Sequence, residues 1–384
     1  MIPTARPSLG QEELNAVGEV FSSGWLGLGS TTYEFEEAIK RRLGAAYVVA
    51  VNTGSSALHL AIEAFGIGAG DEVIVPSLTF AASVQAIIAA GARPVFCDVD
   101  EDTLLMDAAD VERRVTPRTR GVMPVHYCGQ PCDMDRLLVL AERQGFAVIE
   151  DAAHAFGSTS RGRIIGSFGH ATCFSFDPIK TITCGEGGAV ALADGEAAER
   201  LRRMRLLGID KDAWRRQGQA KSWWYEVTAP GWRYHLPNFC AAIGLAQLRR
   251  LDEIIARRRA VCLAYDAAFG ELASVRPLRV NYEETAPQLY IVKVPADARG
   301  RFMEFLAARG VGTGVHYLPN HRQPFFAPYA AGALPRTDRV AGEIVTLPLY
   351  TDLTDAEVGT VVETVRAFDR MVARAVCATP TRAS

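Results

Sequence analysis

From Tyr47 onward, short β-branched runs alternate with stretches of helical spacing, and no other feature of the chain narrows its fold as far. The runs AYVVAV, DEVIVP, PVFCDV, GVMPVH and FAVIED are apolar nearly throughout. Strands covered on both faces read this way, because neither side meets water. Helical spacing is predicted between them at 54–65, 80–90 and 133–144, which makes a series of βαβ units and a mostly parallel sheet. Two more strands, ATCFSF and GGAVAL, flank the loop DPIKTITCGE, and a charged helix is predicted at 196–207.

The flanks differ. Amphipathic helices are predicted at 10–22 and 33–43, around the turn-rich SSGWLGLGS. The stretch from GIDKDAW to GWRYH holds many aromatics with little periodicity, and is expected to be an ordered excursion. A long helix from about Phe239 to Phe269 then leads into an α+β region. That region has a strand at QLYIVKV, helices near 299–309 and 354–375, and a frayed polar tail, ATPTRAS. A chain of 384 residues exceeds one ordinary core. The expected division is therefore a large domain over 1–250 and a smaller C-terminal domain over 251–384.

Composition excludes several functions. A net charge of −3 with no basic block argues against a nucleic-acid partner, whose phosphates demand dense positive charge. No basic segment followed by an apolar run opens the chain, and no stretch of about 18 apolar residues occurs, so neither secretion nor a membrane is expected. Eight scattered cysteines include Cys128 and Cys132, but no second pair completes a zinc site. Reduced thiols in a cytoplasmic protein, and no metal, are the expectation.

Three segments carry chemistry. In Asn52-Thr53-Gly54-Ser55-Ser56, a strand gives way to a helix whose free N–H groups and positive end attract an anion, commonly a phosphate. A plain Ser/Thr N-cap fits the same residues equally well. In Glu150-Asp151-Ala152-Ala153-His154, carboxylates follow a buried strand at the sheet edge where open α/β folds bind ligands. Such a carboxylate can pair with a protonated pyridine nitrogen, and His154 could reach a ring oxygen, though strand-end Asp residues also cap turns. In Phe174-Ser175-Phe176-Asp177-Pro178-Ile179-Lys180, a single lysine lies between a buried strand and the glycine turn Gly185-Glu186-Gly187-Gly188. Taken alone it suits a surface lysine. Confined and partly neutral, it suits a Schiff base. A phosphate cup, a pyridinium carboxylate and a Schiff-base lysine, in that order, are what pyridoxal phosphate requires.

The chain resembles the DegT-type sugar aminotransferases, a branch of the fold type I aspartate-aminotransferase superfamily. The strings SGWLGLGSTTYEFE, NTGSSALHLAI, GDEVIVPSLTFAAS, MPVHYCGQPCDMD, IEDAAHAFGS, FSFDPIKTITCGEGG and VHYLPNHRQP carry the resemblance. It implies an α/β fold of that type and pyridoxal 5'-phosphate as cofactor, in its pyridoxamine form during turnover. Lys180 would be the covalent lysine and proton shuttle, with Asp151 on the pyridine nitrogen and His154 near the phenolic oxygen. Gly54, Ser55, Ser56 and Ser175 would hold the phosphate, and Phe80 would lie against the ring. The family completes each phosphate site across a homodimer with an Asn in Gly-x-Asn-Tyr-Arg-Met. Here that string reads Gly231-Trp232-Arg233-Tyr234-His235-Leu236, so Arg233 becomes the cross-subunit ligand and His235 a departure.

Relatives with His in place of the lysine dehydrate, so Lys180 implies transamination, with glutamate donating to a nucleotide-linked keto sugar. The string KTITCGEGG leans towards amination at C4 rather than C3. Trp25, Leu26, Glu186, His316 and Tyr317 are weaker candidates for the substrate cleft, where packing is an equal reading. His59 and His170 are expected to take no part. The alternatives are a cyclitol acceptor and a regulator that binds the cofactor without turnover.

Overall fold

The computed structural model describes residues 1–217 and 221–378, with side chains described to residue 373. The tail beyond Ala378, expected to fray, lies outside the described residues. Twelve strands are described: β1 (Tyr47–Val51), β2 (Glu72–Pro76), β3 (Arg93–Cys97), β4 (Thr119–Val122), β5 (Ala147–Asp151), β6 (Thr159–Ser160), β7 (Arg163–Ile164), β8 (Ala171–Ser175), β9 (Gly188–Leu192), β10 (Arg276–Pro277), β11 (Tyr290–Lys293) and β12 (Ile344–Leu347).

Seven of them form one sheet in the order β1-β9-β8-β5-β4-β2-β3. From β8 to β3 the neighbours run parallel, and β9 alone runs the other way, between β8 and β1. Side chains along each strand alternate between two cores. Val49, Val51, Cys173, Val190 and Leu192 pack into one, and Val48, Ala50, Phe174, Ala189 and Ala191 into another. This two-sided burial is why the strands read as unbroken apolar runs. A mostly parallel sheet covered by helices is the expected arrangement.

β10, β11 and β12 form a second, antiparallel sheet with its own core around Phe269, Val292, Phe302 and Phe368. Ile2 joins this region by pairing with Val311. The single helix expected from Phe239 to Phe269 is two, Asn238–Arg249 and Leu251–Phe269, broken at Arg250 (φ −99°, ψ 4°). No Gly or Pro marks the break. The Arg250 guanidinium is instead tied to Ser8 and Glu13 across the molecule, contacts that helical periodicity does not register. The aromatic excursion holds a short helix, Ala213–Arg216, and pairs Leu206 with Arg233 and Ile209 with Val227. The seven described cysteines are buried and unbridged.

Candidate active site

Register brings the three chemical segments to one edge. β1 and β8 both pair with β9, and Val51 and Ser175 both face Gly188, so the two strands end at the same level. A side chain at Gly188 would strike the Thr53 carbonyl at 2.3 Å. Asp151 ends β5, beside Cys173 of β8. A cavity of about 280 Å³ opens there, lined by Gly54, Ser55, Phe80, Asp151, His154, Ser175, Lys180, Glu186, His316 and Tyr317, among others.

The phosphate cup is built from backbone. Thr53 caps the helix Gly54–Ala64 by accepting the Ser56 amide at 3.0 Å. The Gly54 and Ser55 amides, the first two of that helix, make no hydrogen bond among the described residues. A Cβ on Gly54 would lie 2.7 Å from the Cβ of Ser175, so only glycine lets the helix end approach that hydroxyl. Ser56 departs from expectation. Its hydroxyl donates to Asn52 Oδ1 at 2.6 Å, and its buried side chain does not line the cavity. It secures the cap instead, because its place in the first helical turn directs it back toward the preceding strand end.

Asp151 is buried and oriented by two donors. The Ser83 hydroxyl gives its proton to Oδ2 at 2.6 Å, and the Ala153 amide donates to Oδ1 at 3.1 Å. Thr79 supports Ser83 at 2.8 Å, and the Asn320 amide in turn holds the Thr79 carbonyl at 2.7 Å. Ser83 and Thr79 carry no signal in the sequence. A hydroxyl in the first turn of a helix resembles any other, and only the adjacency of strands aims it.

Lys180 sits in a turn fixed by its own amide to the Asp177 carbonyl and by the Ile179 amide to Asp177 Oδ1. Its amine makes no hydrogen bond or ion pair among the described residues. Burial lowers its pKa below the usual lysine range, opposed by the charges of Asp177 and Asp151. His154 is buried, 3.0 Å from the Tyr317 hydroxyl through Nε2, with Nδ1 unpartnered. Burial, reinforced by Lys180, keeps it neutral well below the ordinary histidine range. His316 is pushed to about 4 for the same reasons, and its Nδ1 meets the Thr346 hydroxyl at 2.7 Å. Phe80 is exposed and packs 5.6 Å from the Tyr317 ring. Glu186 faces the cavity mouth, its carboxyl raised by burial and by Asp177.

A buried amine with a lowered pKa, a positioned carboxylate, a helix end with free amides and an unpartnered buried imidazole fit pyridoxal phosphate, which presents a phosphate, a ring nitrogen, a ring oxygen and an aldehyde.

A model of the DegT/DnrJ/EryC1/StrS aminotransferase family matches residues 7–366. The chain belongs to that family. It is an enzyme, a pyridoxal-phosphate-dependent aminotransferase. Among solved structures, the aminotransferase TlmJ of Streptoalloteichus hindustanus is 38% identical, with a TM-score of 0.91 over 97% of this chain and 100% of that one. The sugar aminotransferase CalS13 of Micromonospora echinospora is 34% identical, with a TM-score of 0.88 over 96% and 100%. A Streptococcus pneumoniae protein described as a sugar aminotransferase, solved in its PMP form, is 30% identical, with a TM-score of 0.91 over 97% and 100%.

The remaining family candidates lie elsewhere in the aminotransferase chain. Trp25 and the exposed Arg233 line a second cleft of about 320 Å³, with Asp212 and His235. Trp25 is held there by its indole N–H on the Leu28 carbonyl at 2.9 Å, and Leu26 is exposed beside it. His59 packs against Trp232 and Tyr234, and His170 accepts the Val148 amide; neither lines the first cavity.

Proposed function

We propose that this enzyme aminates a nucleotide-linked keto sugar, of the 4-keto-6-deoxyhexose kind, with glutamate as amino donor. One observation carries the reading: Lys180, Asp151, Ser175 and the free amides of Gly54 and Ser55 line a single cavity. The sugar class is supported by relatives that carry it in their descriptions.

Bound pyridoxal phosphate supplies an electron sink that acidifies the C–H bond beside an attached amine. The chain supplies the rest. Gly54 and Ser55 offer amides, and Ser175 a hydroxyl, to the phosphate. Asp151, oriented by Ser83 and Ala153, would pair with the pyridine nitrogen and hold its proton. Neutral His154 would serve the ring oxygen, and Phe80 would lie against the ring. Lys180 Nζ would anchor the cofactor, and as a free amine it would carry the proton to and from the substrate carbon. Its lowered pKa keeps it available as a base.

The same reading takes 1–250 as the cofactor-holding domain and 251–384 as the smaller one. A cytoplasmic homodimer would bring Arg233 from each subunit to its partner's phosphate, and Trp25, Leu26, Glu186, His316 and Tyr317 would border the sugar. Amino sugars for polysaccharide or O-antigen synthesis are the product class. The test is a panel of dTDP-, UDP- and GDP-linked keto sugars with glutamate, read by mass for the aminated product. Product at no member of the panel overturns the sugar assignment.

A further inference from the structure

Lys180 occupies a loop between two strands, and loops ordinarily leave a side chain freedom that proton transfer cannot tolerate. This loop is gripped from outside. Gln288 is buried, and its side chain bonds to both neighbours of the lysine. Its Nε2 donates to the Ile179 carbonyl at 2.7 Å, and its Oε1 accepts from the Thr181 hydroxyl at 3.1 Å. Residues 179 and 181 are thereby tied to one planar amide, with residue 180 between them.

The clamp is itself anchored on several sides. The Gln288 amide donates to the Cys128 carbonyl at 3.0 Å. The buried Arg258 guanidinium donates to the carbonyls of Pro287 at 2.7 Å and Gln288 at 2.9 Å. Two residues upstream, the Ala286 amide meets the Ser158 hydroxyl at 2.9 Å, which donates to the Gly129 carbonyl at 2.7 Å. A Cβ on Gly129 would sit 2.2 Å from the Ala286 carbonyl, so the two backbones touch. Arg258 is costly to bury, and its donors go here to backbone carbonyls. Those bonds fix the segment carrying Gln288.

We infer that Gln288 is a positioning residue for Lys180, holding the amine's backbone rigid so that its proton transfers occur from one geometry. The inference rests on Lys180 being the reactive amine. Gln288 comes from the segment leading into β11 of the second sheet, so the reacting lysine and that sheet are mechanically joined. The charged and titratable groups facing Lys180 are Asp151, Asp177, His154, Glu186, His316 and Tyr317, and Gln288 adds no charge to them. Loosening the clamp leaves that set intact and lets water reach the amine.

The test uses Gln288→Met, which keeps the volume and loses both hydrogen bonds. Expected for Gln288→Met is a fall in kcat of about ten- to a hundredfold with KM held within about threefold, as for a displaced reacting group. In the cofactor-free protein, acetylation of Lys180 by acetic anhydride, followed by peptide mass across pH, should show its midpoint moving upward as the amine gains water. Values of kcat and acetylation midpoint indistinguishable from native in folded Gln288→Met overturn the inference. Should that variant lose its cooperative melting transition, Thr181→Val takes its place: the same fall in kcat and upward midpoint support the clamp, and native values of both overturn it. Lys180→Ala separates the two readings: turnover surviving there overturns the role of Lys180 itself.

Discussion

The Ser83 hydroxyl donates to Oδ2 of Asp151 at 2.6 Å, joining the first turn of one helix to the end of a strand 68 residues further along. With the Ala153 amide on Oδ1, this bond leaves the carboxylate one orientation. Ser83→Ala should therefore weaken cofactor binding by about 1.5–3 kcal/mol, the usual worth of a hydrogen bond to a charged group. Equilibrium dialysis of pyridoxal phosphate against both proteins measures it. Unchanged affinity would show that Ser83 merely fills space.

Lys180→Ala should remove the visible absorbance of the bound cofactor and all turnover, since among the described residues no other amine lines the cavity. Glutamate alone should bleach that absorbance in the native enzyme. Persistent transamination by the variant would displace Lys180 from its role.

Gly54→Ala places a Cβ 2.7 Å from that of Ser175. Overpacking of this kind costs about 1–3 kcal/mol, and here it also parts the helix end from the hydroxyl. A lowered Tm and a larger loss of phosphate-dependent affinity are expected, measured with pyridoxal phosphate against unphosphorylated pyridoxal. Equal losses for the two ligands would separate Gly54 from the phosphate.

The pH dependence follows from Lys180. Its pKa lies below the ordinary 10.5, so the neutral, reactive amine persists to lower pH than in free lysine. Loading of the cofactor-free enzyme should accelerate as pH rises and level off with a midpoint below 10.5. His154 and His316, already neutral, should add no step near pH 6.5. Stopped-flow absorbance reads both features, and a midpoint at or above 10.5 contradicts them.

Arg233 lies in the second cleft of its own chain, away from the cavity of Lys180. If it serves a partner's phosphate, Arg233→Ala and Lys180→Ala homodimers should each be strongly impaired, while an equal, randomly reassorted mixture recovers about a quarter of native activity, because each mixed dimer keeps one intact site. Absence of recovery, with mixed dimers verified by native mass spectrometry, would confine each site to one chain.

Most of the fold was legible because it rests on local periodicity. Strands buried on both faces must be apolar throughout, and Val48–Val51 shows the rule, with successive side chains entering opposite cores. The break at Arg250 was not legible. The residue at the break has its guanidinium held by Ser8 and Glu13, more than 230 residues away in sequence. Within the site, Lys180, Asp151 and Gly54 were ambiguous one by one and drew their meaning from their order along the chain. Ser56 did not behave as its type suggested, since helix geometry turned its hydroxyl to Asn52.

By itself the sequence determined the chemistry available: one lysine in a glycine-bounded loop, one carboxylate at a strand end, one helix start with free amides, arranged as a pyridoxal-phosphate enzyme requires. Short-range order suffices for that, because strand ends and helix starts are set by neighbours a few residues apart. Tertiary structure alone decided what holds those groups still. Ser83 beneath Asp151, Ser175 against Gly54 and Gln288 around Lys180 are contacts between distant segments, and long-range packing leaves no periodic trace along the chain.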